Sequence, residues 1–160
     1  MVTGSGGHAK QCLLLLDQIK HRANFHVMLE KNDPLSAKTF ANYPLHYTIA
    51  FRGKKEFFLI TFFRILMCTL QSFIVFIKVH PDCILSTGPG IAIPISYIAK
   101  IFGKKVIFIE SWSRVHTKSL SGKLLYPIAN AFFIQWPSLI TQYPRALDAG
   151  RLDAFFKGAQ

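Results

Sequence analysis

Three glycines, a serine and a histidine open the chain, in Met1-Val2-Thr3-Gly4-Ser5-Gly6-Gly7-His8, directly before a helical pattern that starts at Ala9. Glycine lets the backbone take positive φ and puts no side chain between the amides and a ligand. Amides in a helix's first turn lack intrahelical partners and sit at the positive end of its dipole. Gly4, Ser5, Gly6 and Gly7 therefore suit a phosphate or diphosphate. His8, at the mouth of the turn, is either a general base or a donor to a diphosphate oxygen, or it only caps the loop. A second turn, Ser86-Thr87-Gly88-Pro89-Gly90, follows a short apolar run and is of the same kind.

A third group lies at Glu110, the last residue of the apolar run Val106–Glu110. Open α/β sheets place ligands at such strand ends. Glu110 is either catalytic or ion-paired to Arg114. Ser111-Trp112-Ser113-Arg114-Val115 adds hydroxyls, an aromatic ring and a guanidinium suited to diphosphate or sugar. Ser119-Leu120-Ser121-Gly122-Lys123 opens the next helix, so Ser121 joins the anion-binding candidates, with ordinary N-capping the alternative. Gln135 and Trp136 are candidates for a partner interface or for packing. No metal site is expected. His21, His26, His46, His80 and His116 lack ligand spacing, and Cys12, Cys68 and Cys83 are scattered through apolar runs.

Other nucleotide motifs fit poorly. Ala9 stands where the dinucleotide fingerprint G-x-G-x-x-G has its third glycine, although Glu30, about 20 residues on, keeps that reading open. The Walker A pattern is absent.

The elements that must hold these turns alternate. Helical spacing runs from Ala9 to about Arg22, then strands at 25–29 and Leu45–Ala50, a long helix over Phe57–Val79, and a strand at Cys83–Ser86. A helix from about Ile91 to Phe102, a strand at Val106–Glu110, a helix near Leu120–Asn130 and a strand at Ala131–Gln135 complete the series. The strands are continuous apolar runs, which predicts a Rossmann-like α/β fold, a buried parallel sheet with helices on both faces. The first strand, Met1–Thr3, is shorter than the roughly five residues usual for such folds, which suggests a natural start several residues earlier.

At 160 residues the chain is one domain, 1–160. It is 51% hydrophobic and 17% charged, with a formal charge of +11. The charge suits an anionic surface or a phosphorylated ligand, and the apolar excess favours anionic membrane lipids over nucleic acid. Glycines occupy the place of a secretory apolar core, and the unpaired cysteines fit a reducing compartment.

Phe57–Val79 would extend about 34 Å as a helix, enough to span a bilayer. Arg64, Gln71 and Lys78 recur every seventh residue and drift only about 20° per step, forming one polar stripe. The apolar arc is wider than a helix packed on a sheet requires. We expect this helix to lie against a membrane surface, with Arg64, Lys78 and the loop containing Lys54 and Lys55 facing headgroups. A fully buried crossover helix is the alternative.

Taken in order, six motifs resemble one family. They are Gly4–His8; Thr87–Gly90; Ile109-Glu110-Ser111 with Arg114-Val115; Ser119–Gly122 with Leu125-Tyr126; Gln135-Trp136-Pro137; and Gly150-Arg151-Leu152. The pattern resembles the membrane-associated subunit of two-component UDP-sugar glycosyltransferases. These include the anchoring subunit of the asparagine-linked glycosylation UDP-N-acetylglucosamine transferase and bacterial PssD- or CpsF-type proteins of exopolysaccharide and capsule assembly. The resemblance covers Gly4 to about Leu152 and implies the N-terminal half of a GT-B glycosyltransferase. It implies a polyprenyl-diphosphate-linked sugar as acceptor, a separate PssE-type donor-binding catalytic subunit as partner, and no cofactor. His8 and Glu110 match the family's histidine and acidic residue. The chain starts at the glycine loop without the anchor of eukaryotic members, which favours the cytoplasmic face of a bacterial inner membrane.

Overall fold

The computed structural model describes residues 1–51 and 57–152. In chain order the elements are α1 (Gly7–Ile19), β1 (Val27–Glu30), α2 (Pro34–Thr39), β2 (Leu45–Thr48), α3 (Phe58–Val79), β3 (Cys83–Ser86), α4 (Ala92–Ile101), β4 (Lys105–Ile109), α5 (Leu120–Leu125), β5 (Ala131–Ile134) and β6 (Leu147–Asp148). A 3-10 turn over Pro137–Leu139 links the last two strands.

All strand pairs are parallel. β2 lies beside β1, and β3-β4-β5-β6 form a consecutive series. Val2 joins the two groups, bridging Met28 on one side and Ser86 on the other. Its amide donates to the Leu85 carbonyl at 2.8 Å, and Thr3 donates to Met28 at 3.2 Å. The expected first strand is thus reduced to one bridging residue. The chain runs outward from Val2 through β1 to β2, then returns to lay β3 on the other side. The loops that follow Val2 and β3 diverge at this reversal, the place where such sheets bind ligands. Both glycine turns lie there.

α1 and α2 cover one face of the sheet and α3, α4 and α5 the other, the arrangement right-handed crossovers produce for this strand order. The core divides accordingly. Cys12, Leu16 and Phe40 pack with Val27 and Leu29. Cys68, Phe76, Ile95, Ala99 and Leu125 pack with Ile84, Val106, Phe108 and Phe132.

The sequence pattern missed α2. Asp33 caps it, accepting from the Ser36 amide at 3.0 Å, and Pro34 occupies its start. Both are standard helix-start signals, but the helix is six residues long and too short to show a period. Near Leu120, the helix ends at Leu125 rather than Asn130.

α3 is the long helix expected, and it is not buried. Only Cys68, Ser72 and Phe76 of its residues are fully covered. Phe58, Leu59, Phe63 and Ile74 are 82%, 67%, 61% and 64% exposed. The polar stripe, however, does not all face outward. Gln71 Oε1 accepts from Thr48 Oγ1 at 3.0 Å and from the Ile49 amide at 2.8 Å, so this part of the stripe faces the end of β2. The outward face is the apolar one, flanked by exposed Lys78, while Arg64 is half-buried. Lys54 and Lys55 lie outside the described residues.

Candidate functional site

The first glycine turn enters α1 through Gly6 at φ 62°, and no side chain caps the helix. His8, in its first turn, reaches across the reversal. Its Nδ1 lies 2.6 Å from the Thr87 carbonyl, and Thr87 Oγ1 donates to the His8 carbonyl at 3.1 Å. A carbonyl only accepts, so Nδ1 carries the proton and Nε2 keeps a free lone pair. Burial pulls the His8 pKa below its ordinary value; the Thr87 bond and Glu110 oppose this, and Arg114 adds to the lowering. The imidazole is therefore neutral at neutral pH and can accept a proton at Nε2.

The second turn is fitted around this ring. Gly88 has φ 104°, and a Cβ there would sit 3.2 Å from His8 Cε1. Its amide is held by Ser86 Oγ at 3.1 Å. Gly4 lies against Pro89, where an added Cβ would approach the proline Cβ to 3.0 Å. Thr3 and Thr87 are fully buried beneath the two turns.

His8 opens onto a cleft of about 270 Å³. Gly88, Gly90, Ser111, Arg114 and Ser121 line it, together with Ser113 and Ser119. Leu120 and Phe51 supply an apolar rim, and Glu30 contributes a carboxylate. A cleft with one exposed guanidinium, several hydroxyls and an unprotonated imidazole nitrogen can bind a diphosphate and take a proton from a nearby hydroxyl. Gly4, Ser5, Gly6, Gly7, Thr87 and Pro89 are not among the residues that line it.

Two expected site residues lie inside the fold. Glu110 is fully buried and forms no ion pair with Arg114. It accepts from the Ser111 amide at 2.9 Å, from Ser119 N and Oγ at 3.2 and 3.1 Å, and from Tyr143 OH at 2.9 Å. With its hydrogen bonds made inside the fold, this carboxylate docks the start of α5 on the strand end. Gln135 is likewise buried rather than interfacial. Its Nε2 donates to the Glu110 carbonyl at 2.7 Å and to Gln11 Oε1, and its Oε1 accepts from Leu152 N at 3.1 Å. Trp136 is half-buried, donates to the Trp112 carbonyl at 2.6 Å and lies under Arg151, 5.1 Å from the guanidinium carbon.

Three contributors were not singled out from sequence. Gln11 ties Gly7 to the loop after β4, donating to the Gly7 carbonyl at 3.2 Å and accepting from Trp112 N at 3.3 Å. Its signal was a polar residue four positions after Gly7, on the buried side of α1. Tyr143, fully buried, has its phenol pKa pushed up by burial first and by Glu110 next. It sits in an aperiodic tail that gives no pattern to read. Glu30 was noted only in the dinucleotide context.

The fold is that of one Rossmann-like half of a GT-B glycosyltransferase. It superposes on MurG of Acinetobacter baumannii with a TM-score of 0.71 at 16% identity, covering 94% of this chain and 42% of that one. A UDP-N-acetylglucosamine 2-epimerase gives 0.64 at 13% identity, over 89% of this chain and 43% of the epimerase. The family model described as "Oligosaccharide biosynthesis protein Alg14 like" matches residues 1–152. The mouse protein named UDP-N-acetylglucosamine transferase subunit ALG14 is 31% identical over 95% of this chain and 81% of its own length. A Schizosaccharomyces pombe protein of the same name is 48% identical over 41% of this chain and 34% of its own. The chain belongs to the Alg14 family.

Proposed function

We propose that this protein is the membrane-associated subunit of a heteromeric glycosyltransferase. It binds a polyprenyl-diphosphate-linked sugar in the cleft below His8 and recruits a donor-binding catalytic subunit, of the PssE type or its counterpart. That subunit brings a UDP-sugar, and the sugar is transferred to the acceptor hydroxyl. The observation that carries the reading is the His8 tautomer: Nδ1 is committed to Thr87, so Nε2 stands free at the cleft to accept the hydroxyl proton. Arg114 supplies the counter-charge, and Ser113 and Ser121 the hydroxyl donors, that a diphosphate needs. On this proposal the donor site lies on that second chain, and this chain alone transfers no sugar.

Membrane attachment rests on α3, whose apolar face is continued by exposed Ile101 and by Phe102, packed 5.1 Å from Phe76. The chain's charge of +11 suits anionic lipid. The relatives reported above are eukaryotic, so they lend no support to a bacterial inner membrane or to exopolysaccharide and capsule substrates. The proposed place is the cytoplasmic face of a membrane.

Co-expression with the donor-binding subunit, membrane fractionation and a UDP-sugar transfer assay test the reading. Transfer to a polyprenyl-diphosphate sugar is expected only with both chains present. Full activity from the partner alone would reduce this protein to a scaffold.

A further inference from the structure

The charges around the cleft are unevenly spread. Arg114, Ser111 and Ser121 belong to the loop after β4 and the start of α5, whereas Glu30 comes from the end of β1, on the other side of the Val2 reversal. Glu30 is the one carboxylate among the described residues that line the cleft. Its neighbours in charge are otherwise occupied: Glu110 accepts its four hydrogen bonds inside the fold, and Asp33 caps α2. The Glu30 side chain is half-buried, and among the described residues no hydrogen bond or ion pair engages it. Burial first, and Asp33 second, push its carboxyl above the ordinary range. A partly desolvated carboxylate left without donors is costly, and a ligand that brings donors relieves that cost.

A diphosphate cannot be that ligand, because like charges at contact repel. Sugar hydroxyls can. We infer that Glu30 accepts hydrogen bonds from hydroxyls of the acceptor sugar, so that the acceptor lies with its diphosphate toward Arg114 and its sugar toward the end of β1. This rests on the function proposed above and adds a direction to it. It also makes Glu30, rather than Glu110, the carboxylate that distinguishes one acceptor sugar from another. A site built around a substrate hydroxyl discriminates strongly against an analogue that lacks it, because its polar group is then left unpaired.

The test uses the complete protein assembled with its donor-binding subunit in membranes. Glu30→Gln and Glu30→Ala are compared with wild type on a polyprenyl-diphosphate sugar and on analogues singly deoxygenated around the ring. For wild type, removal of one particular hydroxyl, other than the one glycosylated, is expected to raise the acceptor KM about tenfold or more. In Glu30→Ala the parent acceptor should show the same rise, and the deoxygenated analogue should bind no worse than the parent. The KM for the UDP-sugar should not move, and the melting temperature should stay unchanged, which separates recognition from folding. Unaltered acceptor KM and an undiminished preference for the parent in both variants would overturn the inference while leaving the proposed function standing. A wild-type pair that transfers to no polyprenyl-diphosphate sugar would overturn both.

Discussion

His8 and Thr87 hold each other twice: Nδ1 donates to the Thr87 carbonyl at 2.6 Å, and Thr87 Oγ1 donates to the His8 carbonyl at 3.1 Å. Residues 79 positions apart are thereby locked across the sheet's reversal. The pairing has two consequences that can be separated. It closes the two glycine turns on one another, and it leaves Nε2 as the only nitrogen with a lone pair. His8→Asn keeps an amide donor near the Nδ1 position and has nothing at Nε2. We expect transfer by the assembled pair to fall about 10²-fold or more in this variant, with acceptor binding largely kept. Activity close to wild type would assign His8 to loop closure alone.

Burial places the His8 pKa below the ordinary imidazole value of 6.5, and this fixes a sign. The unfolded imidazole takes up its proton at higher pH than the folded one. The stabilising contribution is complete above the unfolded value and is lost as pH falls from there through the folded pKa. Urea unfolding at a series of pH values should show a loss of stability toward acid that His8→Asn makes shallower. The transfer rate should be flat through neutrality and decline on the same acid limb. A decline centred above the ordinary imidazole value would contradict the neutral, Nε2-basic ring.

Much of the framework was legible in the chain because two signals were strong. Continuous apolar runs mark a parallel sheet buried on both faces, and glycine turns before helices mark its ligand edge. β3 was bounded correctly from sequence at Cys83 and Ser86, and α3 to within a residue. The roles of Glu110 and Gln135 were not legible, for a common reason. Each is polar at the end of an apolar strand, and sequence alone does not say whether its partners are a ligand or the protein's own amides. Here Ser119 and Tyr143 claim the first, and Gln11 and the Glu110 carbonyl the second. The stripe on α3 misled in another way. Seven-residue spacing shows that Arg64, Gln71 and Lys78 share a side, but not which way that side faces.

Gly122 tests how tightly α5 is docked on Glu110. A Cβ added there would overlap Glu110 Oε2 and Tyr143 OH, and would lie 2.9 Å from Ser119 Oγ. None of these atoms can withdraw without breaking a hydrogen bond to the buried carboxylate. Gly122→Ala should therefore cost about 1–3 kcal/mol in chemical unfolding, although alanine is the better helix former. Tyr143→Phe removes one donor to a charged group and should cost about 1.5–3 kcal/mol. A neutral or stabilising Gly122→Ala would mean that α5 is not seated on Glu110.

The exposed face of α3 sets a last contrast, between a helix that stabilises the fold and one that serves a surface. Phe63 and Ile74 are 61% and 64% exposed and fall on the same side of the helix. Cys68 and Phe76, on the opposite side, are 0% and 4% exposed and pack into the core. Replacing an exposed residue removes few intramolecular contacts, so Phe63→Ser and Ile74→Ser together should change unfolding free energy by no more than about 0.5 kcal/mol per site. On insertion among lipid chains, each loses about 1 kcal/mol of apolar transfer. Binding of the double variant to vesicles containing anionic lipid should then weaken by about tenfold or more. Phe76→Ala should behave oppositely, costing about 3–5 kcal/mol of stability through the cavity it leaves. Equal vesicle binding by wild type and the double variant would remove α3 as the membrane contact, whatever its length and composition. Reduced binding with unchanged stability would show that the apolar face is kept for the bilayer rather than for the core.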